Sequence, residues 1–455
     1  LTPMMQKYME TKEQYKDCIL FYRLGDFYEM FFDDALVASK ELEITLTGKS
    51  CGLEERAPMC GIPYHAVEGY LSKLVSRGYK VAICEQVEDP KLAKGLVKRE
   101  VIRVVTPGTN LNVQSLEAGK NNYLLSIAYT PDGIGISAAD VTTGDYYVTE
   151  VEDLKKLNDE LMKYEPSEII CNEAFLVSGF DVNDLKSRLH ISVNALESHM
   201  FDDDGCRRIL MKHFKVNTLI GLGVEEFPTG LLAAGALLQY LYDTQKTDLE
   251  HFTHIYPYLT SKYMLLDSST RRNLELTETL REKQKRGSLL WVLDKTKTAM
   301  GARLLRNYIE QPLIEKDEME KRLDAIQELN QDSISRDEIR EYLNPIYDLE
   351  RLLSKVTYKT ANPRDLIAFR NSLQMLPPIK TVLSAFEKEE LTKIREQIDG
   401  LEDIYQLIDE AIIDEPPLSI REGGMIKDQF DETIDRLRSA KHDGKQWLAQ
   451  LEEED

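Results

Sequence analysis

No stretch of the 455-residue sequence is apolar over a span long enough to cross a bilayer, and the N-terminal residues do not resemble a signal peptide. The six cysteines include no Cys-x-x-Cys pair, which is typical of cytosolic thiols. These absences predict a soluble, cytoplasmic protein. The length suggests about three domains, each able to bury its own core. Because Leu1 is not a start methionine and the last residues continue a helical pattern, the chain is expected to be part of a longer protein.

Positive charge is scarce, with 57 Lys and Arg against 79 Asp and Glu and a formal net charge of -22, which is unfavourable for binding nucleic acid. The shortage of positive charge is distributed unevenly along the chain. Residues 1–110 hold 15 basic and 16 acidic side chains, a net of -1, so the remaining residues carry -21. The first region therefore repels phosphate least, although its cations also fit an ordinary solvated surface. The cationic series in this region is Lys73, Arg77, Lys80, Lys94, Lys98, Arg99 and Arg103.

A complete phosphate-binding loop is also missing. Residues 46–50, Leu-Thr-Gly-Lys-Ser, resemble the end of such a loop, which requires a glycine five residues before Gly48. That position is Glu43, which would place a negative charge against the polyphosphate. The segment is therefore interpreted as the turn that ends a strand, and the chain is not expected to hydrolyse ATP.

Metal-site patterns are incomplete as well. Asp132, Asp140 and Asp145 are spaced along predicted strands, but Asp132 lies in a Pro-Asp-Gly turn and Asp145 follows Gly144. A two-metal site needs convergent carboxylates, so turn and surface acids are the favoured interpretation. His251 and His254 could form one edge of a metal site, but no third ligand lies nearby in the sequence, which favours a surface loop. No metal is expected, and no Ser-His-Asp or Cys-His arrangement is supported by spacing.

What the sequence does contain is an aromatic run at an early corner. Residues 18–22 predict a buried strand, and Gly25-Asp26 a turn. Apolar residues at helical spacing from Phe31 onward, with acids in the first turn, predict a helix. Phe27 is therefore expected at an outward-facing strand-to-helix corner. For the residue pattern alone, the competing interpretation is a staple packed on its own helix.

The rest of the chain predicts a multidomain α/β plus all-α fold. Residues 1–110 predict a mixed sheet flanked by helices, including strand 44–47 and helix 65–77, and a polar linker follows. Three strands between 123 and 151, then a helix and a strand, suit a ribonuclease-H-like sheet. From about residue 258 the pattern is helical, and positions 426–451 predict one long helix.

The run at 23–31 contains Phe27-Tyr28-Glu29, which resembles the Phe-x-Glu signature of the bacterial MutS family of DNA mismatch-recognition proteins. Further similar segments follow in order as far as about residue 313, with a weaker helical match beyond. These segments are 57–67, 81–86, 104–109, 267–276, 287–294 and 311–313.

The resemblance implies a mismatch-binding domain over 1–110, a linker over 111–122, a ribonuclease-H-like connector over 123–257, and a helical core with part of a lever over 258–455. It implies that Phe27 inserts at a mismatch or small bulge, that Glu29 contacts the mispaired base, and that the DNA kinks. It also favours phosphate contacts for several residues of the cationic series.

The resemblance further implies a longer protein that is a homodimer, binds ATP and magnesium in a separate C-terminal domain, acts as a sliding clamp, and recruits MutL through the connector and core. No cofactor and no membrane partner are expected for this chain, which is not expected to be an enzyme. Two alternatives remain: a MutS paralogue acting on branched DNA, which generally lacks Phe-x-Glu, and a metal-dependent nuclease built on the ribonuclease-H-like segment.

Overall fold

The computed structural model describes residues 1–454, with side chains through 450. The chain divides into two compact units. The first contains Leu1–Thr296 and Gly301–Ile314, and the second contains Lys297–Met300 and the residues from Glu315 onward. The described part of the chain holds no helix with both the length and the apolar character needed to span a membrane.

The first unit begins with a mixed six-stranded sheet whose strand order is β3-β4-β2-β1-β5-β6, in which β1 and β5 are parallel and the other neighbours are antiparallel. Helix α1 starts after Thr2, whose hydroxyl accepts a hydrogen bond from Met5 N, and Pro3 occupies its first turn. The predicted mixed sheet is confirmed. The elements are α1 Pro3–Gln14, β1 Ile19–Leu24, β2 Phe27–Phe31, α2 Phe32–Leu42, β3 Thr47–Lys49, β4 Ala57–Pro63, α3 Val67–Val75, β5 Val81–Gln86 and β6 Arg99–Val105.

The corner around Phe27 differs from the prediction. The turn at Gly25-Asp26 leads into a second strand, β2, and the helix begins only at Phe32, whose φ is 54°. The prediction failed because both faces of β2 are covered: Met30 packs beneath α2 and α3, and Phe31 packs beneath α1. A strand buried on both sides shows no polar alternation. The strand predicted at 44–47 is also displaced, to β3.

A second six-stranded sheet follows, with strand order β11-β10-β7-β8-β9-β12. Strands β7, β8 and β9 are antiparallel, and β10 and β11 extend the sheet in parallel on the other side of β7. This is the predicted ribonuclease-H-like arrangement. The elements are β7 Leu124–Thr130, β8 Gly133–Asp140, β9 Asp145–Val151, α4 Leu154–Tyr164, β10 Glu168–Cys171, α5 Glu173–Leu176, α6 Val182–Ser187, β11 Ser192–Ala195, α7 Asp203–Phe214, α8 Pro228–Gln245 and β12 Tyr256–Pro257.

Helix α8 lies directly against β8 at Gly135. A Cβ at this position would overlap the backbone carbonyl of Thr229, which cannot move aside as a flexible side chain could. Gly135→Ala is therefore expected to lower the free energy of unfolding by about 3 kcal/mol. Gly69→Ala is the matched control, because Gly69 lies in α3 and a Cβ added there would meet open space. Urea denaturation should show the control unchanged or stabilised, and equal effects of the two changes would contradict the packing account.

The remaining chain consists mainly of helices, with irregular segments that include residues 274–288 and 412–431. Within the second unit, one core contains Ala325, Ile379 and Phe386, and another contains Ile367 and Ile408. The long helix predicted for 426–451 begins later, because Ile426 instead pairs with Ile412 in an isolated β-bridge. The helices are α9 Ser268–Asn273, α10 Leu289–Leu293, α11 Ala299–Glu310, α12 Lys316–Gln331, α13 Ser333–Leu343, α14 Leu349–Thr357, α15 Pro363–Leu373, α16 Leu376–Leu383, α17 Glu389–Gln397, α18 Glu402–Ala411 and α19 Glu432–Glu454.

Burial makes Glu310, at the end of α11, a source of pH-dependent stability. Desolvation raises the pKa of its carboxyl from 4.5 to about 7, although Arg306 lies 3.7 Å away. The folded state therefore binds this proton more tightly than the unfolded state, and its stabilising contribution is lost as pH rises from about 4.5 through 7. The loss is about 1.4 kcal/mol per unit of pKa difference.

Glu310→Gln tests this assignment. The stability of the variant relative to the unsubstituted chain is expected to rise between pH 4.5 and 8 when urea midpoints are compared at each pH. A difference between the two proteins that does not change with pH would contradict it.

Candidate nucleic-acid interface

Phe27 begins β2 immediately after the β1–β2 turn, where Gly25 adopts a φ of 59°. Phe27 pairs with Leu24 on one side and with Pro63 at the end of β4 on the other. Its backbone is therefore fixed by two neighbouring strands, while its side chain is 46% exposed. The staple interpretation is wrong, because the helix that Phe27 would pack on starts five positions later. The corner joins two strands, and the expected outward exposure of Phe27 is confirmed.

Strand alternation separates the motif onto two faces. Phe27, Glu29 and Phe31 share one face, and Tyr28 and Met30 lie on the other. Tyr28 is buried and donates a 2.7 Å hydrogen bond to Glu85 Oε1. Burial and this acidic partner raise the pKa of the Tyr28 hydroxyl. Tyr28 is therefore a packing residue, whereas Phe27 is exposed and Glu29, on the same face, is only partly exposed.

Glu29 lies within β2, opposite Tyr22 and Gly61, and is therefore part of a strand and not of the expected strand-to-helix corner. Its Oε2 atom is 2.7 Å from Lys49 Nζ, and the two side chains are 16% and 33% exposed respectively. Lys49 closes β3, the edge strand of the sheet. In the sequence, Lys49 stands out only as part of the phosphate-loop-like segment 46–50, and no local pattern indicates its contact with Glu29.

Gly61 supplies the space beside the motif. A Cβ at Gly61 would lie 3.6 Å from Glu29 Cγ and 3.7 Å from Phe27 Cδ1, which are ordinary contact distances. Alanine would therefore fit, whereas a longer side chain would occupy the space between the ring and the carboxylate. The sequence signal was the glycine within a strand pattern, which often marks close approach of a neighbouring group.

The strand registers divide the cationic series between two edges of the sheet. Leu24 pairs with Phe27, Phe27 pairs with Pro63, and Gln86 pairs with Arg99. Since β1 and β5 are parallel, the loop between β5 and β6 leaves the sheet at the same strand ends as the β1–β2 turn. We call this end of the sheet the Phe27 edge. Helix α3 starts near that edge and β5 starts at the opposite one. The residues near Phe27's edge are Lys94, Lys98 and Arg99, and those placed away from it are Lys73, Arg77, Lys80 and Arg103.

On the Phe27 edge, Lys94 is exposed in the β5–β6 loop. Lys98 Nζ lies 2.7 Å from Glu100 Oε1, and this hydrogen bond raises the pKa of Lys98. Arg99 is more constrained, because its Nε donates to the Arg23 carbonyl at 2.7 Å. The loop also exposes Leu92, which sequence reasoning did not single out.

The cations away from that edge are engaged within the protein. Lys73 Nζ lies 3.7 Å from Glu43 Oε2, and Arg77 donates hydrogen bonds to the Glu41 carboxylate and carbonyl. Lys80 lies 3.7 Å from Asp17. Arg103 donates to the Thr109 carbonyl and to Gln245 Oε1 of α8. These contacts favour structural roles for Lys80 and Arg103.

Three family models match successive parts of the chain: MutS domain I over residues 2–114, MutS domain II over 122–253, and MutS domain III over 269–454. The chain belongs to the MutS family. The DNA mismatch repair protein MutS of Lachnoclostridium phytofermentans is 66% identical over 452 residues, which cover 99% of this chain and 48% of that protein. The proteins of the same name from Ruminiclostridium cellulolyticum and Acetivibrio thermocellus are 53% and 51% identical, each over 99% of this chain and 52% of their own length. This MutS-family chain therefore spans about half the length of these relatives.

In this MutS-family chain, two of the three candidate acids, Asp140 and Asp145, accept hydrogen bonds from Asn121, whereas Asp132 is exposed in the β7–β8 turn, as predicted. Asp140 is buried, not at the surface as expected, and accepts hydrogen bonds from Thr142, Asn121 and the Asn122 amide. Asp145 also accepts from Asn121, at 2.9 Å. Donors from neighbouring residues thus occupy the carboxylate oxygens.

The paired histidines do not converge on a metal site. His251 Nε2 lies 2.8 Å from the Val141 carbonyl, and burial lowers the pKa of this imidazole to about 4. His251 is thus packed against the β8–β9 turn, whereas His254 is exposed in a loop, as predicted. Among the side chains of residues 1–450, no group of three or more His, Cys, Asp or Glu is arranged to hold a metal ion.

Proposed function

We propose that this chain recognises mispaired or bulged positions in duplex DNA by inserting Phe27, as the sensing part of a post-replicative mismatch repair protein. The observation that carries the proposal is the half-exposed Phe27 ring, held by backbone pairing to two strands of a sheet that is packed on both faces. A wedge needs both features, because the ring has to insert into the DNA while the backbone that carries it stays in place.

Recognition of many different mismatches requires a property that they share. No fixed set of base-edge hydrogen bonds fits every mispair, but each has lost pairing and some stacking and therefore deforms easily. Unstacking a step takes on the order of a few kcal/mol in intact duplex. Stacking of an aromatic ring on a base returns about 1–3 kcal/mol. We propose that this stacking energy exceeds the remaining deformation energy only at a mismatch, where Phe27 enters from the minor groove and kinks the DNA.

Glu29 is proposed to contact the mispaired base. It lies on the same face as Phe27, two residues along the strand, so it would follow the ring toward the groove. A carboxylate is repelled by phosphate, which makes close approach to matched DNA unfavourable. At a mispair, the repulsion is offset by a hydrogen bond to a base that has lost its partner.

The phosphate contacts are proposed to come mainly from Lys94, Lys98 and Arg99, which share the edge of the sheet with Phe27. Lys94→Gln is expected to reduce the slope of log affinity against log salt by about 0.9, equally for matched and mismatched duplexes. Lys73→Gln, at the opposite edge, is expected to leave the slope unchanged. Equal slopes for the two variants would contradict this division of the cations.

The space at Gly61 gives a second test of the wedge. Gly61→Leu is expected to lower the preference for mismatched DNA by about tenfold, because its side chain would compete with the Phe27 ring for space. Gly61→Ala is the control and should keep the preference, since its Cβ makes only ordinary contacts. Competition binding with mismatched and matched duplexes measures both, and loss of preference in the alanine variant would contradict the steric argument.

The wider assembly is proposed from the family. The proposed domains are a mismatch-binding domain over 1–110, a linker over 111–122, a connector over 123–257 and a helical core and lever over 258–455. We propose that the longer protein is a cytoplasmic, nucleoid-associated homodimer that uses ATP and magnesium in another domain to become a sliding clamp, and that recruits MutL through the connector and core. The ATPase activity is not assigned to residues 1–455.

The experiment that tests the proposed function is titration of this chain against matched, mismatched and one-base-bulged duplexes of the same length at one salt concentration. Fluorescence anisotropy of labelled DNA is expected to give tighter binding to the mismatched and bulged duplexes. Equal affinity for all three, at concentrations that saturate binding, would contradict mismatch recognition by these residues.

A further inference from the structure

The Glu29 carboxylate has a cationic partner on the edge strand of the sheet. Lys49 Nζ lies 2.7 Å from Glu29 Oε2, and the Lys49 side chain has to cross β4 to reach it. The β4 residues opposite Lys49 and Glu29 are Ala57 and Gly61, both small. Lys49 Nζ is also 5.7 Å from the centre of the Phe31 ring, within the range of a cation–π contact.

This ion pair lies on the face that carries the wedge. Phe27, Glu29 and Phe31 share that face of β2, with Phe31 buried beneath α1 and Phe27 exposed at the edge. Glu29 lies between them, largely covered, while Lys49 keeps a third of its side chain exposed. A DNA backbone that approaches Phe27 would therefore meet a paired carboxylate, and the ammonium would be the more accessible member of the pair.

Phosphate and carboxylate compete for the same ammonium. While Lys49 remains on Glu29, the pair carries no net charge and the carboxylate repels the backbone less. When a phosphate takes over the ammonium, Glu29 loses the contact that holds it and becomes available to a base. Which arrangement is favoured then depends on whether a base donates a hydrogen bond to Glu29, and a mispaired base has Watson–Crick donors that a correctly paired base does not offer.

We infer that Lys49 is a positioning residue that holds Glu29 against the sheet in the DNA-free chain and transfers to a backbone phosphate when Phe27 enters a mismatch. This inference rests on the proposed mismatch recognition and adds to it a residue that sets when Glu29 can act. Lys49 itself is not inferred to contact a base. It acts through Glu29 and through the phosphate.

A double-mutant cycle tests the coupling, with Lys49→Gln, Glu29→Gln and the double variant measured against matched and mismatched duplexes. Lys49→Gln alone is expected to weaken binding by about tenfold, and more for matched than for mismatched DNA, because Glu29 is left uncompensated. In the Glu29→Gln background, the same change is expected to cost about twofold, with the salt slope lowered by about 0.9 through the lost phosphate contact.

Two controls accompany the cycle. Lys49→Arg keeps the charge and is expected to restore most of the affinity, while Lys16→Gln removes an equivalent charge from an exposed pair with Glu13 and is expected to change nothing. Equal losses from Lys49→Gln in both backgrounds would overturn the inference, because Lys49 would then be only a phosphate contact. No loss in either background would overturn it too.

Failure of the wider proposal has a different signature. If the unsubstituted chain showed no preference for mismatched DNA, or kept its preference without Phe27, mismatch recognition itself would be wrong. If that preference were present and depended on Phe27 while the cycle was additive, only the role of Lys49 would fail.

Discussion

Replacing Phe27 by alanine is expected to abolish the preference for mismatched over matched duplex while leaving most of the salt-sensitive nonspecific binding intact. The ring supplies the stacking energy at the mispaired step, about 1–3 kcal/mol, which corresponds to roughly five- to 150-fold in affinity. Phosphate contacts do not involve the ring and carry the nonspecific term. The half-exposed position means that the substitution removes little buried surface, so the fold is expected to persist.

Leu36→Ala provides the matched control for Phe27→Ala. Leu36 lies in α2 of the same domain and is 47% exposed, nearly the same fraction as Phe27. Removing it tests whether any exposed apolar side chain of this domain influences binding. Retained preference in Phe27→Ala, or an equal loss in both variants, would show that the ring is not the wedge.

Replacing Glu29 by glutamine is expected to keep or tighten binding to both duplexes while eroding the preference between them. A charge at contact distance from a phosphate is worth about 1 kcal/mol in water, so affinity for matched DNA is expected to rise by roughly fivefold. The amide keeps a hydrogen-bonding group of the same size, so binding at the mismatch changes less. Competition between matched and mismatched duplexes at fixed salt measures both effects.

Glu13→Gln separates this effect from the overall charge of the chain. Glu13 is exposed in α1 and paired with Lys16 just beyond that helix, so its removal changes net charge equally without altering the wedge face. It is expected to leave the preference unchanged. A large, uniform loss of affinity in Glu29→Gln would contradict the proposed role, because it would mean that the carboxylate contributes equally to both complexes.

The motif and the fold class could be identified from the sequence, whereas the local geometry around the motif could not. Phe27 and Glu29 were identified by their resemblance to Phe-x-Glu, and the structure places them on one face of β2 with Phe27 exposed. The strand that holds them was mistaken for a turn and helix start. Acids at Asp33 and Asp34 marked the helix correctly, but the preceding strand had no polar alternation to reveal it.

Contacts between segments that are distant in the sequence could not be predicted from sequence patterns. The Lys49–Glu29 pair depends on β3 lying beside β4 and β4 beside β2, an order that no local signal specifies. The same is true of Arg103, which looked like a surface cation but reaches Gln245 in a helix 142 positions away. By contrast, the ribonuclease-H-like sheet was predictable, because its first three strands are consecutive hairpins with their own turns.

The most direct measurement of the central claim is photocrosslinking of a duplex that carries 5-iodouracil at the mispaired position, followed by mass spectrometry of the crosslinked peptide. Only a side chain stacked on that base lies close enough to react efficiently. A crosslink at Phe27 is expected, with a much lower yield when the same base is correctly paired. A crosslink at another residue, or equal yields from paired and mispaired duplexes, would contradict the claim.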